Sequence, residues 1–204
     1  MEALSGVPQG TILGPTLFNI YINDAPTTVK NKISLYADDS KLIGTVDTPD
    51  KRASMQNDLW ALSHWATLWR LEFNVNKCQT IHFGKKNEKC PYHMLGMDGS
   101  RQTIMSSEVE RDLGVIVDNE LKFTIHTQTA VAKALQTLGI IKRTITSRSP
   151  MVMTKLYKAL VRPNLEFGMC VASPLNKGDQ QKLETVQRRA TKATEGCKYL
   201  NYSS

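Results

Sequence analysis

Two adjacent aspartates, Asp38 and Asp39, stand between the β-prone runs Lys32–Tyr36 and Lys41–Gly44. So short a gap between two strand-like runs leaves room only for a tight bend. Short acids favour such bends because they bond their own backbone there. The bend also sets two carboxylates side by side, and a divalent ion relieves their repulsion. Magnesium takes hard oxygen ligands and keeps several of its waters, so a few carboxylates plus substrate phosphates hold it. The pair therefore reads as a plain turn or as a cation site for phosphoryl transfer, in which metal ions clamp the attacking and leaving oxygens.

The surrounding motifs separate these readings. Upstream stand Ser5-Gly6-Val7-Pro8-Gln9-Gly10, Leu13-Gly14-Pro15 and the run from Leu17 through Ile20 and Ile22 to Asp24. Downstream come Leu71-Glu72-Phe73-Asn74-Val75-Asn76-Lys77-Cys78 and His82-Phe83-Gly84. In order and spacing, these motifs with Tyr36-Ala37-Asp38-Asp39 closely resemble the palm of reverse transcriptases encoded by non-LTR (LINE, jockey-like) retrotransposons. Arg111-Asp112-Leu113-Gly114-Val115, the segment Leu156 to Pro163 and the segment Leu183 to Lys192 look like the same family's downstream region. The resemblance covers nearly the whole chain. It implies an α+β fold: a partial polymerase palm, an antiparallel sheet with packed helices, over residues 1–120. A basic, mainly helical, thumb-like region is expected over 121–204. The implied parent reaction is Mg²⁺- (or Mn²⁺-) dependent addition of dNTPs to a DNA primer 3′-OH on an RNA template.

By the same resemblance, Asp38 binds metal directly and Asp39 supports it. Gly6, Pro8, Gln9 and Gly10 line the template and nucleotide pocket, where glycine permits close backbone approach and a helix start offers free N–H groups. Lys77 matches a lysine near the triphosphate that assists pyrophosphate departure. His82, Phe83 and Gly84 match the segment bracing the primer end, although Phe83 suits a core equally well. In the last helix, Leu183, Val186, Ala190 and Ala193 form an apolar stripe, with Lys182, Arg188, Arg189 and Lys192 on the remaining arc. With Lys142, Arg143, Lys155, Lys158 and Arg162 they are expected to cradle the primer–template backbone, contacts that position a duplex without reading its sequence. A plain solvated face is the alternative.

Charge distribution agrees with a nucleic-acid partner. The net charge is +7, yet residues 1–100 carry ten Lys/Arg and ten Asp/Glu, while residues 101–204 carry 16 against 9. A basic half suits phosphates, whose neutralisation releases counterions. No apolar run approaches a membrane span. The first residues lack a secretory signal, and four irregularly spaced cysteines do not form a disulfide framework; an intracellular protein, nuclear or cytoplasmic, is expected. Cys78, His82, Cys90 and His93 are all of zinc-ligating type, but their spacing matches no recognised knuckle, and zinc is not expected.

Hydrophobic patterning predicts a buried short helix from Pro15 to about Asn23 and an amphipathic helix over 51–69. It predicts strands at 79–83, 92–96 and 113–117, with an Asp98-Gly99 hairpin turn, and helices over 126–147, 150–162 and 179–195. The family's third catalytic carboxylate lies on a strand upstream of Ser5, where this chain has four residues without a matching Asp. One turn cannot hold two metals, and the palm sheet would lack a central strand, leaving an open edge. Ala172 also stands where relatives carry Trp. The expectation is a fragment inactive on its own. The alternatives are a non-enzymatic nucleic-acid-binding remnant of a retrotransposon, or an unstable relic.

Overall fold

The computed structural model describes residues 10–96 and 98–199. The chain divides between Ser107 and Glu108 into two compact units. This break precedes the expected 120/121 boundary. The physical reason is that the strands after Ser107 pair with each other, and the second of them packs on the helix that follows.

In the first unit, α1 (Leu13–Ile22) and a 3-10 turn (Ala25–Thr28) precede the hairpin of β1 (Lys32–Tyr36) and β2 (Asp39–Ile43). The expected burial of α1 is not what the structure shows: Ile12 is 94% and Ile20 70% exposed, and Gly14 is its one buried residue. The helix's far end is anchored. Tyr21 packs edge-on to Trp69 at 5.0 Å and donates its hydroxyl to the Trp69 carbonyl, while Ile22 packs on Ala25, Trp65 and Ala66.

The long helix α2 (Pro49–Leu68) starts as its sequence requires. Thr48 accepts from the Lys51 N–H, Pro49 occupies the first turn, and Asp50 meets the positive end of the helix. Its buried face runs Met55, Asp58, Leu62, Ser63, Trp65 and Ala66. Met55 joins Val75, Tyr92, Met94 and Ile104 in a core that Leu42 of β2 also touches, tying the hairpin to the unit. Asp58 accepts from the Lys30 N–H (3.0 Å), the Asn31 N–H (2.7 Å) and Asn31 Nδ2 (2.8 Å), fixing the chain as it enters β1.

The expected mix of helices with antiparallel strands is present, the strands forming two-stranded pieces among the described residues. Besides β1–β2, β4 (His93–Leu95) pairs antiparallel with β5 (Arg101–Thr103) around the Asp98-Gly99 turn. Flanking that hairpin, β3 (Gln79–Ile81) and β6 (Met105–Ser107) pair in parallel, since the hairpin serves as the crossover between them. Side chains of α2 close the other edge of β4. Gln56 donates to the His93 carbonyl (2.8 Å) and accepts from its N–H (3.0 Å), and Ser63 Oγ accepts from the Leu95 N–H (3.2 Å).

The second unit opens with β7 (Val109–Asp112) and β8 (Val115–Asp118), a hairpin where one strand over 113–117 was expected. Leu113 and Gly114 form its two-residue turn with φ of 45° and 90°. Helix α3 (Thr124–Thr144) follows, then α4 (Pro150–Leu156), a π-helical turn (Tyr157–Val161), α5 (Arg162–Glu166) and α6 (Lys177–Lys192). The expected continuous helix over 150–162 is interrupted ahead of Pro163, which lacks an N–H and crowds the carbonyl four residues back. The Arg162 N–H reaches the Tyr157 carbonyl, and Asn164 Nδ2 donates to the Leu160 carbonyl at 2.7 Å. The core comprises Ala134, Leu138, Ile141, Met153, Val161, Leu165, Val186 and Ala190. Buried His126 pins three segments: its Nδ1 accepts from the Ile116 N–H (3.3 Å), and Nε2 donates to the Phe167 carbonyl (3.0 Å). No helix is long and apolar enough to cross a membrane among the described residues.

Candidate active site and nucleic-acid interface

The β1–β2 register pairs Tyr36 with Asp39, so Ala37 and Asp38 make the turn and Asp39 opens β2. Ala37 takes a left-handed backbone, φ 51°, at a cost of roughly 1–2 kcal/mol for a residue with a Cβ. Pairing places Lys32, Ser34, Tyr36, Asp39, Lys41 and Ile43 on one face of the hairpin, the side opposite the core residue Leu42. Asp38 at the tip and Asp39 on this face are both exposed. Neither carboxylate has a hydrogen bond or ion pair among the described residues. They contrast with Asp58, whose oxygens are consumed by three donors. Two unengaged hard oxygen donors on neighbouring residues fit a share of a magnesium shell, with further oxygens needed to complete it. Among the described residues no three His, Cys, Asp or Glu gather as a metal-ligating group.

Gly6, Pro8 and Gln9 lie outside the described residues, whereas Gly10 is exposed with φ 77° just ahead of α1. At that helix start the Gly14 N–H is already taken by Thr11 Oγ1 at 3.1 Å. Lys77 is exposed at the end of a 3-10 turn (Val75–Lys77) that core residue Val75 holds in place. His82 is only 8% exposed and stacks on Tyr92, ring centroids 6.2 Å apart. Burial, with the Lys89 charge adding to it, pushes the imidazole below its ordinary pKa. The structure thus makes His82 an interior ring, leaving Phe83, 44% exposed, and Gly84 as the accessible part of that segment. Burial also pushes the Cys78 thiol up, away from the thiolate form that ligates metals, and its Sγ donates to the Asn74 carbonyl.

The basic residues divide by surroundings. Lys142 and Arg143 are exposed in the last turn of α3, where cations also complement the helix dipole. Arg162 is engaged: its Nε meets Glu166 Oε1 at 2.6 Å, which raises its pKa and offsets its charge. Arg188, Arg189 and Lys192 are exposed along α6, opposite buried Val186 and Ala190. Beside Lys192 the fold brings Arg148 and Lys198 to one cleft. Sequence reasoning missed these two because they lie on segments far apart in sequence that the fold brings together, with the Glu195 N–H donating to the Arg148 carbonyl at 2.8 Å.

A comparison with known families settles the class. Residues 2–140 match the profile described as "Reverse transcriptase (RNA-dependent DNA polymerase)". The chain belongs to the reverse transcriptase family. It is 26% identical over 205 residues to the RNA-directed DNA polymerase from mobile element jockey of Drosophila melanogaster, covering 94% of this chain and 22% of that protein. The Drosophila funebris jockey polymerase is likewise 26% identical, over 94% of this chain and 22% of its own length. The probable RNA-directed DNA polymerase from transposon X-element of Drosophila melanogaster is 22% identical, over 96% and 22%. These relatives place this reverse transcriptase chain among those of non-LTR retrotransposons, and it spans about a fifth of their length. No solved structure matches significantly.

Proposed function

We propose that this chain carries the metal-binding turn and the nucleic-acid-holding helices of an RNA-directed DNA polymerase. One observation carries the reading: the adjacent carboxylates of Asp38, in the hairpin turn, and Asp39, at the start of β2, are exposed with no partner among the described residues. In the parent reaction a primer 3′-OH attacks the α-phosphate of a dNTP on an RNA template, and pyrophosphate leaves. Asp38 would hold Mg²⁺ directly and Asp39 would support it; a bound ion would neutralise charge developing on the phosphates. Lys77 offsets charge on the departing pyrophosphate. The first unit then acts as part of the palm and the second as a thumb-like support. Two carboxylates of one turn supply too few oxygens for two ions, so the 204-residue chain alone is expected not to extend a primer.

Titrating ¹⁵N-labelled chain with Mn²⁺ tests the site. Broadening is expected first at residues 36–41 and is lost in Asp38→Asn/Asp39→Asn. Broadening that ignores this substitution sinks the assignment. Primer extension that depends on Asp38 would refute inactivity of the isolated chain.

Binding of nucleic acid without catalysis is a second reading, favoured by the charge of the second unit: residues 108–204 hold 15 Lys/Arg against 9 Asp/Glu. Salt-dependent duplex binding, unaffected by Asp38→Asn/Asp39→Asn, would support it.

A further inference from the structure

We propose that the cleft between residues 146–148 and the chain just after α6 is a subsite for single-stranded nucleic acid, taking one backbone phosphate with the adjoining base stacked on Tyr199. This rests on reading the second unit as a nucleic-acid surface, and it adds a strand type and a place. The cleft is a shallow, open depression of about 690 Å³ lined by Arg148, Lys192 and Lys198, with Glu195 as its acid among the described residues and Tyr199 on its wall. Such a volume is in the range of small-ligand sites and admits a nucleotide unit. Three cations against one carboxylate favour an anion.

Arg148 supplies the second observation. Its Nη2 donates to the Lys142 carbonyl at the end of α3, whereas Nη1 is buried with no hydrogen-bond partner among the described residues. Buried donors are nearly always paired in folded proteins. A phosphate in the cleft would give this nitrogen an acceptor after a small turn of the guanidinium. Arginine suits that role because its planar fork matches phosphate oxygens.

Tyr199 decides the strand type. Its ring is 87% exposed and has Lys198 Nζ 5.5 Å from its centroid. An open aromatic face beside cations stacks an unpaired base, which a duplex does not offer. The main-chain bond from Glu195 to Arg148 holds the cleft through backbone atoms, while Arg148 Nη2 is engaged by the Lys142 carbonyl.

The test measures anisotropy of labelled ten-nucleotide oligo(U) and oligo(dT), and of a ten-base-pair duplex, with the full chain at several salt concentrations. Lys198→Gln/Tyr199→Leu is the variant, since Arg148 also ties down α3 and its loss risks the fold. Expected is a loss of about tenfold or more on both single strands, with the salt slope shallower by about 0.7 for the lost phosphate contact. Duplex affinity should change by less than about twofold. Single-strand affinity unchanged by the variant, or an equal loss on duplex, overturns the subsite. If the parent binds the duplex while the single strands ignore the substitution, the subsite alone falls. If the folded parent binds neither, the reading beneath it falls as well.

Discussion

Asp58 and the Asp38–Asp39 pair lie in the same unit but meet opposite surroundings, and their substitutions should separate accordingly. Asp58→Ala leaves the Lys30 and Asn31 N–H groups without their acceptor in a partly buried setting, a cost of up to about 1–3 kcal/mol for each group that water does not reach. A fall of about 3 kcal/mol in urea-unfolding stability is expected, whereas Asp38→Asn/Asp39→Asn should stay within about 0.5 kcal/mol. Equal losses would contradict the division. His82 and Asp179 give pH dependence in different windows. The buried His82 ring has a folded pKa below its unfolded value, so its contribution is complete above about 6.5 and is lost as pH falls from there through the lowered folded value. Asp179 is held below the usual carboxylate range by Lys182 Nζ (2.7 Å) and the Thr124 hydroxyl (2.8 Å). Its contribution is complete above about 3.9 and disappears in stronger acid. All three tryptophans, at 60, 65 and 69, sit on α2 or at its end, so fluorescence melts report the first unit. Between pH 7.5 and 5.5 that melt should drop for the parent and stay flat for His82→Phe.

At the scale of elements, two-residue turns and prolines explain where sequence patterning succeeds and fails. The β1–β2 hairpin was legible because two β-prone runs flank one short acidic gap, and α2 because Thr48, Pro49 and Asp50 all signal a helix start. The β7–β8 hairpin was not, because Glu110, Arg111 and Asp112 give the first strand little β character of its own and only Gly114 marks the bend. Gly114 needs its positive φ, and a Cβ there would lie 2.8 Å from the Phe167 ring. Gly114→Ala should therefore lower the stability of the second unit by about 2 kcal/mol, from left-handed strain plus crowding. Gly99, whose positive φ has open space around it, provides the control: Gly99→Ala meets strain alone and should cost about 1 kcal/mol. Comparable effects at both positions would remove the Phe167 contact from the account. The exposure of α1 and the burial of His82 were illegible for another reason. Both depend on what packs alongside, and an apolar helix or a motif histidine carries no local mark of its neighbours.

Across the whole molecule, the two units differ in charge while each draws its core from its own residues. Every buried member of the helical cluster lies between Ala134 and Ala190, and the first unit's clusters run from Ala25 to Ile104. Nearly all of the net +7 resides in the second unit, since residues 1–107 hold 11 Lys/Arg against 10 Asp/Glu. A segment with its own core, buried helix faces and satisfied links such as His126 and Asp179 meets the conditions for folding alone. Residues 108–204 expressed separately should give a helical circular dichroism spectrum with a cooperative thermal transition, which Gly114→Ala shifts down. This segment contains no tryptophan, so its transition is followed by the far-ultraviolet backbone signal, which its helices dominate. It should also keep most of the chain's salt-dependent affinity for nucleic acid, because the phosphate-neutralising cations travel with it. A non-cooperative melt would show that this core needs the first unit; a cooperative fold that fails to bind would show that its charge is only a solvated surface.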